Sequence, residues 1–174
     1  NFVFADKSGT IAYKANGNVP IRKKGNAELP VPGNSSEYGW EGYIPYAELP
    51  RVVNPQVGYV ATANNEVVDE KYPYHISNIW AQPYRYERIV ELLESKEKLS
   101  VQDMKDIQMD AKNLYAIEFL PNLLETLKAS PLANNYEDAL KILEEWDYFD
   151  TVEQSAPLIF HHLMANMQES LFID

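Results

Sequence analysis

The 174-residue chain contains no cysteine. A disulfide framework, a thiolate nucleophile and a cysteine-ligated zinc site are therefore excluded, while the redox compartment stays open. Long apolar runs are also missing: nothing approaches the ~20 residues that cross a bilayer as a helix. Bases are scarce, with 15 Lys and Arg against 26 Asp and Glu and a net charge of -11, so nucleic acid is not an expected partner. The basic cluster "IRKKG" at 21–25 is too short to reverse this and reads as a solvated turn.

Catalytic signatures are equally thin. Of the three histidines, His75 stands alone, and His161 and His162 would point to different sides of a helix, so no metal site is read from them. An H-E-x-x-H pattern, a G-x-S-x-G elbow and a phosphate-binding loop are all absent. Acidic pairs such as Glu144 with Glu145 read as solvated helix faces.

What is present is a chain that changes character near residue 80. Before it, Gly, Pro and Asn punctuate short apolar runs. "NFVFA" and "TIAYKA" flank "DKSG", which predicts a hairpin with Gly9 in the turn. Residues 26–57 are proline-rich and predict a long ordered excursion with little regular structure. A further strand is expected at about 58–63, within "GYVATANN", ending on the amides Asn64 and Asn65.

After residue 80 the period becomes helical. Pro83 suits the start of a helix, with Tyr86, Ile89, Val90 and Leu93 on one face. Ser100 and Asp103 resemble a capping pair for a second helix striped by Val101, Met104, Ile107, Ala111 and Leu114. Pro121 should interrupt or end that helix. Ala139, Ile142, Leu143 and Trp146 mark a third helix. Thr151 with Gln154 reads as the cap of a fourth, striped by Ala156, Phe160, Leu163, Met167 and Leu171. The class is α+β: strands and loops over about 1–80, then a helical region over about 81–174, the two expected to form one structural unit of a larger chain.

The ordered set "NFVFADKSGTIAY", "NVPIR", "LPVPG", "GWEGYIPYAELPRVVNPQVGYVATANN" and "WAQPYRYERI", covering about half the chain, strongly resembles the β subunit of the penicillin acylase family. These are N-terminal nucleophile (Ntn) hydrolases with an αββα fold. "KLSVQDMKDIQMD", "IEFLP" and "LEEWD" continue the likeness more loosely.

The resemblance implies an amidohydrolase that cuts an N-acyl amide through a serine at the start of its β subunit, with that serine's own α-amine as base. The serine would lie upstream of Asn1. The opening "NFVFAD", with no starter methionine, is likewise expected to belong to a longer chain.

By position Asn64 matches the family's oxyanion-hole asparagine, and Arg85 matches an arginine set beside the nucleophile and that asparagine. Asn65 reads as structural and Arg88 as an ordinary ion-pairing residue. No cofactor is expected. Some relatives carry calcium, whose remaining contacts would fall near Ala27 and near His75 or Ile76, but the expected aspartate is not there.

The partners implied are a small N-acyl amide, the remainder of the protein's own α and β chains and, through open sheet edges, other copies of this piece. A periplasmic or extracellular location is implied by likeness alone. Penicillins, acyl-homoserine lactones and other N-acyl amines remain open as substrates. A non-catalytic scaffolding member of the family is the competing reading.

Overall fold

The structure, a computed structural model, describes residues 1–172. It divides into two compact units, Asn1–Leu93 and Glu94–Asp174, each described by itself below. The division falls some thirteen residues beyond the change of period at 80, because the helix that begins at Tyr84 groups with the strands.

The first unit holds five short strands: β1 (Phe2–Ala5), β2 (Ile11–Lys14), β3 (Pro20–Arg22), β4 (Trp40–Tyr43) and β5 (Arg51–Val53). The hairpin read from "DKSG" is present, pairing β1 with β2 antiparallel. Gly9 takes a φ of 90°, and the Asp6 carboxylate accepts from the backbone N–H groups of Ser8 (2.8 Å) and Thr10 (3.0 Å). That turn chemistry is local, which is why it shows in the sequence.

β5 adds antiparallel to β2, giving a sheet in the order β1-β2-β5, while β3 and β4 pair separately with an irregularity between Ile21 and Arg22. The stretch 26–57 has little regular structure, as expected: a short 3-10 turn at Ser36–Tyr38 and the strands β4 and β5. One expectation is corrected here. The strand expected at 58–63 does not form; the β-branched "RVV" of β5 takes the ladder. Asn54 turns the chain at φ 46°, and its side-chain Oδ1 accepts from the Ile11 N–H at 2.9 Å. A tight turn from Pro55 to Gly58 (N–H to O, 3.0 Å) then carries the chain out of the sheet. Tyr13, Ile44, Leu49 and Ala63 are the buried apolar residues of this unit. Helix α1 (Tyr84–Glu94) follows Pro83, whose carbonyl accepts from the Glu87 N–H at 2.9 Å.

The second unit is helical: α2 (Val101–Gln108), α3 (Leu114–Lys128), α4 (Glu137–Glu144) and α5 (Ala156–Phe172). Ser100 caps α2 as expected, its own N–H donating in return to the Asp103 carboxylate at 2.7 Å. The α2 stripe is shorter than read, because the helix stops at Gln108 and Leu114 opens α3 instead. Asn113 caps α3, its Oδ1 accepting from the Ala116 N–H at 2.8 Å.

Pro121 neither ends nor breaks α3, which runs on to Lys128. Interior proline costs about 3 kcal/mol. Here it sits on an exposed face, where water can serve the carbonyl it leaves unpaired, while Ala116 and Leu120 on the inner face are fully buried. Thr151 does not cap the last helix. Its carbonyl closes a turn with the Gln154 N–H at 3.4 Å, and α5 starts at Ala156, with the Ile159 N–H bonded to Ser155 O.

The core of this unit gathers Ala116, Leu120, Leu143, Trp146, Ala156 and Phe160. Of the stripe Ala139, Ile142, Leu143 and Trp146, Leu143 and Trp146 are buried in this core, whereas Ile142 is exposed and Leu140, outside the stripe, is buried. Leu171, at the far end of the α5 stripe, is exposed.

Candidate active site

Asn64 lies in a tight turn and not on a strand end. Its φ of 63° is left-handed, a region that asparagine tolerates better than most residues. Four hydrogen bonds hold this turn. The Ala81 N–H donates to the Asn64 carbonyl at 2.9 Å. The Ala63 N–H donates to Asn65 Oδ1 at 3.0 Å, and Asn65 Nδ2 donates to the Glu66 carbonyl at 2.8 Å. Arg85 Nη2 reaches the Ala63 carbonyl at 2.8 Å.

The turn-forming bonds to backbone thus come from Asn65, and the Asn64 side chain is left for another partner. That partner is Arg85. The same Nη2 that holds Ala63 also donates to Asn64 Oδ1 at 3.0 Å. The pairing decides which end of the carboxamide faces outward, because a guanidinium has donors only and must meet the oxygen. Asn64 Nδ2 makes no hydrogen bond among the described residues, and the side chain is exposed. A donor is therefore presented to the outside with its carbonyl end pinned and polarised by a permanent positive charge.

α1 supplies this arginine from its first turn. Arg85 bonds the turn, while an ion pair on this helix joins Arg88 to Glu91 at 2.8 Å. The two residues singled out in the sequence, Asn64 and Arg85, are in direct contact, although 21 positions separate them.

A hollow of about 710 Å³ opens nearby, lined by Tyr13, Tyr59, Asn65, Glu66, Lys71 and Tyr86 among others. Neither Asn64 nor Arg85 lines it, so its presence does not mark the reacting centre.

Calcium fits poorly. It needs six to eight oxygen ligands, and among the described residues no three His, Cys, Asp or Glu side chains are grouped for a metal. Ala27 and Ile76 have no side-chain oxygen, and His75 offers nitrogen only, so these positions supply no carboxylate for calcium. Of the other histidines, His161 bonds the Asp150 carboxylate at 3.0 Å, at the exposed side of α5. Among the described residues no helix is long and apolar enough to cross a membrane.

Comparison with known proteins places the chain in a family. A penicillin acylase 2 proenzyme from Pseudomonas sp. strain SE83 is 40% identical over 110 residues, covering 63% of this chain and 14% of that protein. Penicillin G acylase of Escherichia coli is 32% identical over 152 residues, 84% of this chain and 18% of its own length. The acyl-homoserine lactone acylase QuiP of Pseudomonas fluorescens is 32% identical over 165 residues, 95% of this chain and 19% of its own.

The chain therefore spans less than a fifth of each of these three relatives. The solved structure of a thermostable penicillin G acylase from Alcaligenes faecalis shares the fold, with a TM-score of 0.71 over 98% of this chain and 32% of that one, at 22% identity. Its likeness shows the fold and agrees with the α+β class. The penicillin amidase family model matches residues 1–174 from end to end, and the chain belongs to that family.

Proposed function

We propose that this chain is the part of an Ntn amidohydrolase that stabilises the oxyanion during cleavage of an N-acyl amide. A serine elsewhere in the longer protein attacks the amide carbonyl, and its proton passes through its own α-amine toward the leaving nitrogen. The C–N bond breaks, the amine departs, and water then releases the carboxylic acid from the acyl-enzyme. Negative charge builds on the former carbonyl oxygen at each addition. Asn64 Nδ2 is the donor this chain brings to that oxygen, and Arg85 keeps it aimed.

One observation carries the reading: Arg85 occupies the oxygen of the Asn64 carboxamide and leaves its NH₂ unspent. A neutral amide suits the task, since it cannot titrate away. Arg85 has further guanidinium donors beyond the Nη2 used here, which could meet a polar end of the substrate.

The test uses the full-length enzyme carrying Asn64→Gly, which removes the donor and tolerates the left-handed backbone. Turnover should fall about 10²–10³-fold, with KM nearly unchanged and self-processing intact. Wild-type turnover would remove Asn64 from the mechanism. Penicillin-type and acyl-homoserine-lactone-type substrates are both represented among the relatives. Hydrolysis rates on phenylacetyl, phenoxyacetyl and straight-chain acyl amides separate them. We place the enzyme in the periplasm or outside the cell on the same family grounds, which cell fractionation would check.

A further inference from the structure

We propose that Asn65 is a positioning residue for the oxyanion donor, acting through the backbone on either side of Asn64. This rests on the reading of Asn64 given above. The argument begins with the conformation of residue 64. A left-handed φ of 63° at a residue with a side chain is not the chain's default. Something must hold it, and the direction of the Asn64 side chain depends on it.

Asn65 provides that hold from both flanks. Its Oδ1 accepts from the Ala63 N–H at 3.0 Å, on the N-terminal side of Asn64. Its Nδ2 donates to the Glu66 carbonyl at 2.8 Å, on the C-terminal side. One half-buried carboxamide therefore ties residue 63 to residue 66 across the turn. Ala63 is itself buried, so the tie is anchored to the packed interior of the unit.

The Arg85 contact depends on the same turn. Nη2 reaches both the Ala63 carbonyl and Asn64 Oδ1, and it can do so only while the peptide between residues 63 and 64 keeps its orientation. If the Asn65 tie is lost, that peptide is freer to rotate, and the Asn64 NH₂ leaves its line. The two adjacent amides divide the work: Asn65 spends both of its ends on backbone, and Asn64 spends its oxygen on Arg85 and keeps its nitrogen for the substrate. A displacement of about 1 Å in such a group can cost about 10²-fold in rate.

The experiment is a double-mutant cycle in the full-length enzyme, with Asn65→Ala and Asn64→Gly separately and together. Asn65→Ala should lower kcat about 10- to 100-fold with KM held within about twofold, the pattern of an interaction made only in the transition state. In the Asn64→Gly background the same change should cost little further, since nothing is left to aim. Asn65→Asp keeps the oxygen that accepts from Ala63 and should recover a substantial part of the loss. It also serves if the alanine variant does not fold.

Wild-type kcat for Asn65→Ala would overturn the inference. So would an equal loss of kcat in both backgrounds, which would mean that Asn65 supports the fold without acting through Asn64. Wild-type kcat for Asn64→Gly alone would instead defeat the oxyanion reading itself, so the two failures are distinguishable.

Discussion

At the scale of single residues, two asparagines side by side do different jobs, and the sequence shows this only in part. The resemblance singled out Asn64 and Arg85, but nothing local reveals that they touch, because the contact closes a loop of 21 residues. The sequence also suggested a strand end at Asn64, whereas the structure has a left-handed turn braced by Asn65. Strand and turn look alike here because "YVATA" has the composition of a strand but finds no partner to pair with among the described residues.

The backbone at residue 64 gives its own prediction. Alanine in the left-handed region is penalised by about 1 kcal/mol, so Asn64→Ala should unfold at a lower temperature than Asn64→Gly in parallel melts. Equal melting temperatures would mean that the turn opens in solution.

Tyr13 offers a second residue-scale test. It is only 8% exposed, and its hydroxyl is buried without a hydrogen-bond partner among the described residues. Burial pushes its phenol upward from the usual range. An orphaned hydroxyl costs about 1–3 kcal/mol, so Tyr13→Phe should raise the melting temperature of the 174-residue chain. A fall would show that the hydroxyl has a partner in solution.

At the scale of elements, what is local was legible and what is tertiary was not. The Ser100–Asp103 capping box was read correctly because it needs only four consecutive residues. Thr151 with Gln154 has the same spacing but caps nothing, since Gln154 is drawn to the Asp147 carboxylate at 3.2 Å and the helix starts later. Pro121 was read as a break because propensity favours one; packing of Leu120 and its neighbours in α3 overrides it.

The cap yields a prediction with a sign. Lys96, then Ser100, hold the Asp103 carboxylate below its ordinary value of 3.8. A carboxylate depressed in the folded state adds stability that is complete above its unfolded value and is lost as the pH falls below it. Ser100→Ala should cost about 1 kcal/mol near neutral pH. It should also flatten the acid-induced loss of stability below about pH 4, measured by chemical denaturation at several pH values. An unchanged acid limb would contradict the assigned role of the cap.

At the scale of the whole molecule, the three-stranded sheet leaves apolar groups open to water. Phe2, Val3 and Phe4 of β1 are all more than half exposed, so both faces of that edge strand present apolar groups. Val53 and, to a lesser extent, Val52 are exposed on β5, at the other edge. Single exposed apolar residues are ordinary, but contiguous ones on unpaired strands are not.

The stretches matched amount to only 14% and 18% of the length of the two penicillin acylase relatives. Expressed by itself, the chain should self-associate through these edges, as read by light scattering across a concentration series, and Val3→Lys should weaken the association. A monomer at all concentrations would contradict this. The family likeness leads to the expectation of open sheet edges; that β1 and β5 flank this sheet follows from the pairing of β5 with β2, a tertiary contact that no local pattern announces.

The central claim is geometric: the Asn64 NH₂, with its oxygen held by Arg85, points at the oxygen that becomes negative. It is tested most directly by a crystal structure of the full-length enzyme bound to a stable mimic of the tetrahedral intermediate. The distance from Asn64 Nδ2 to the oxyanion mimic should lie at about 2.7–3.1 Å, with the Arg85 contact to Asn64 Oδ1 preserved. A mimic bound with that nitrogen more than about 4 Å away, beyond hydrogen-bond reach, would contradict the account.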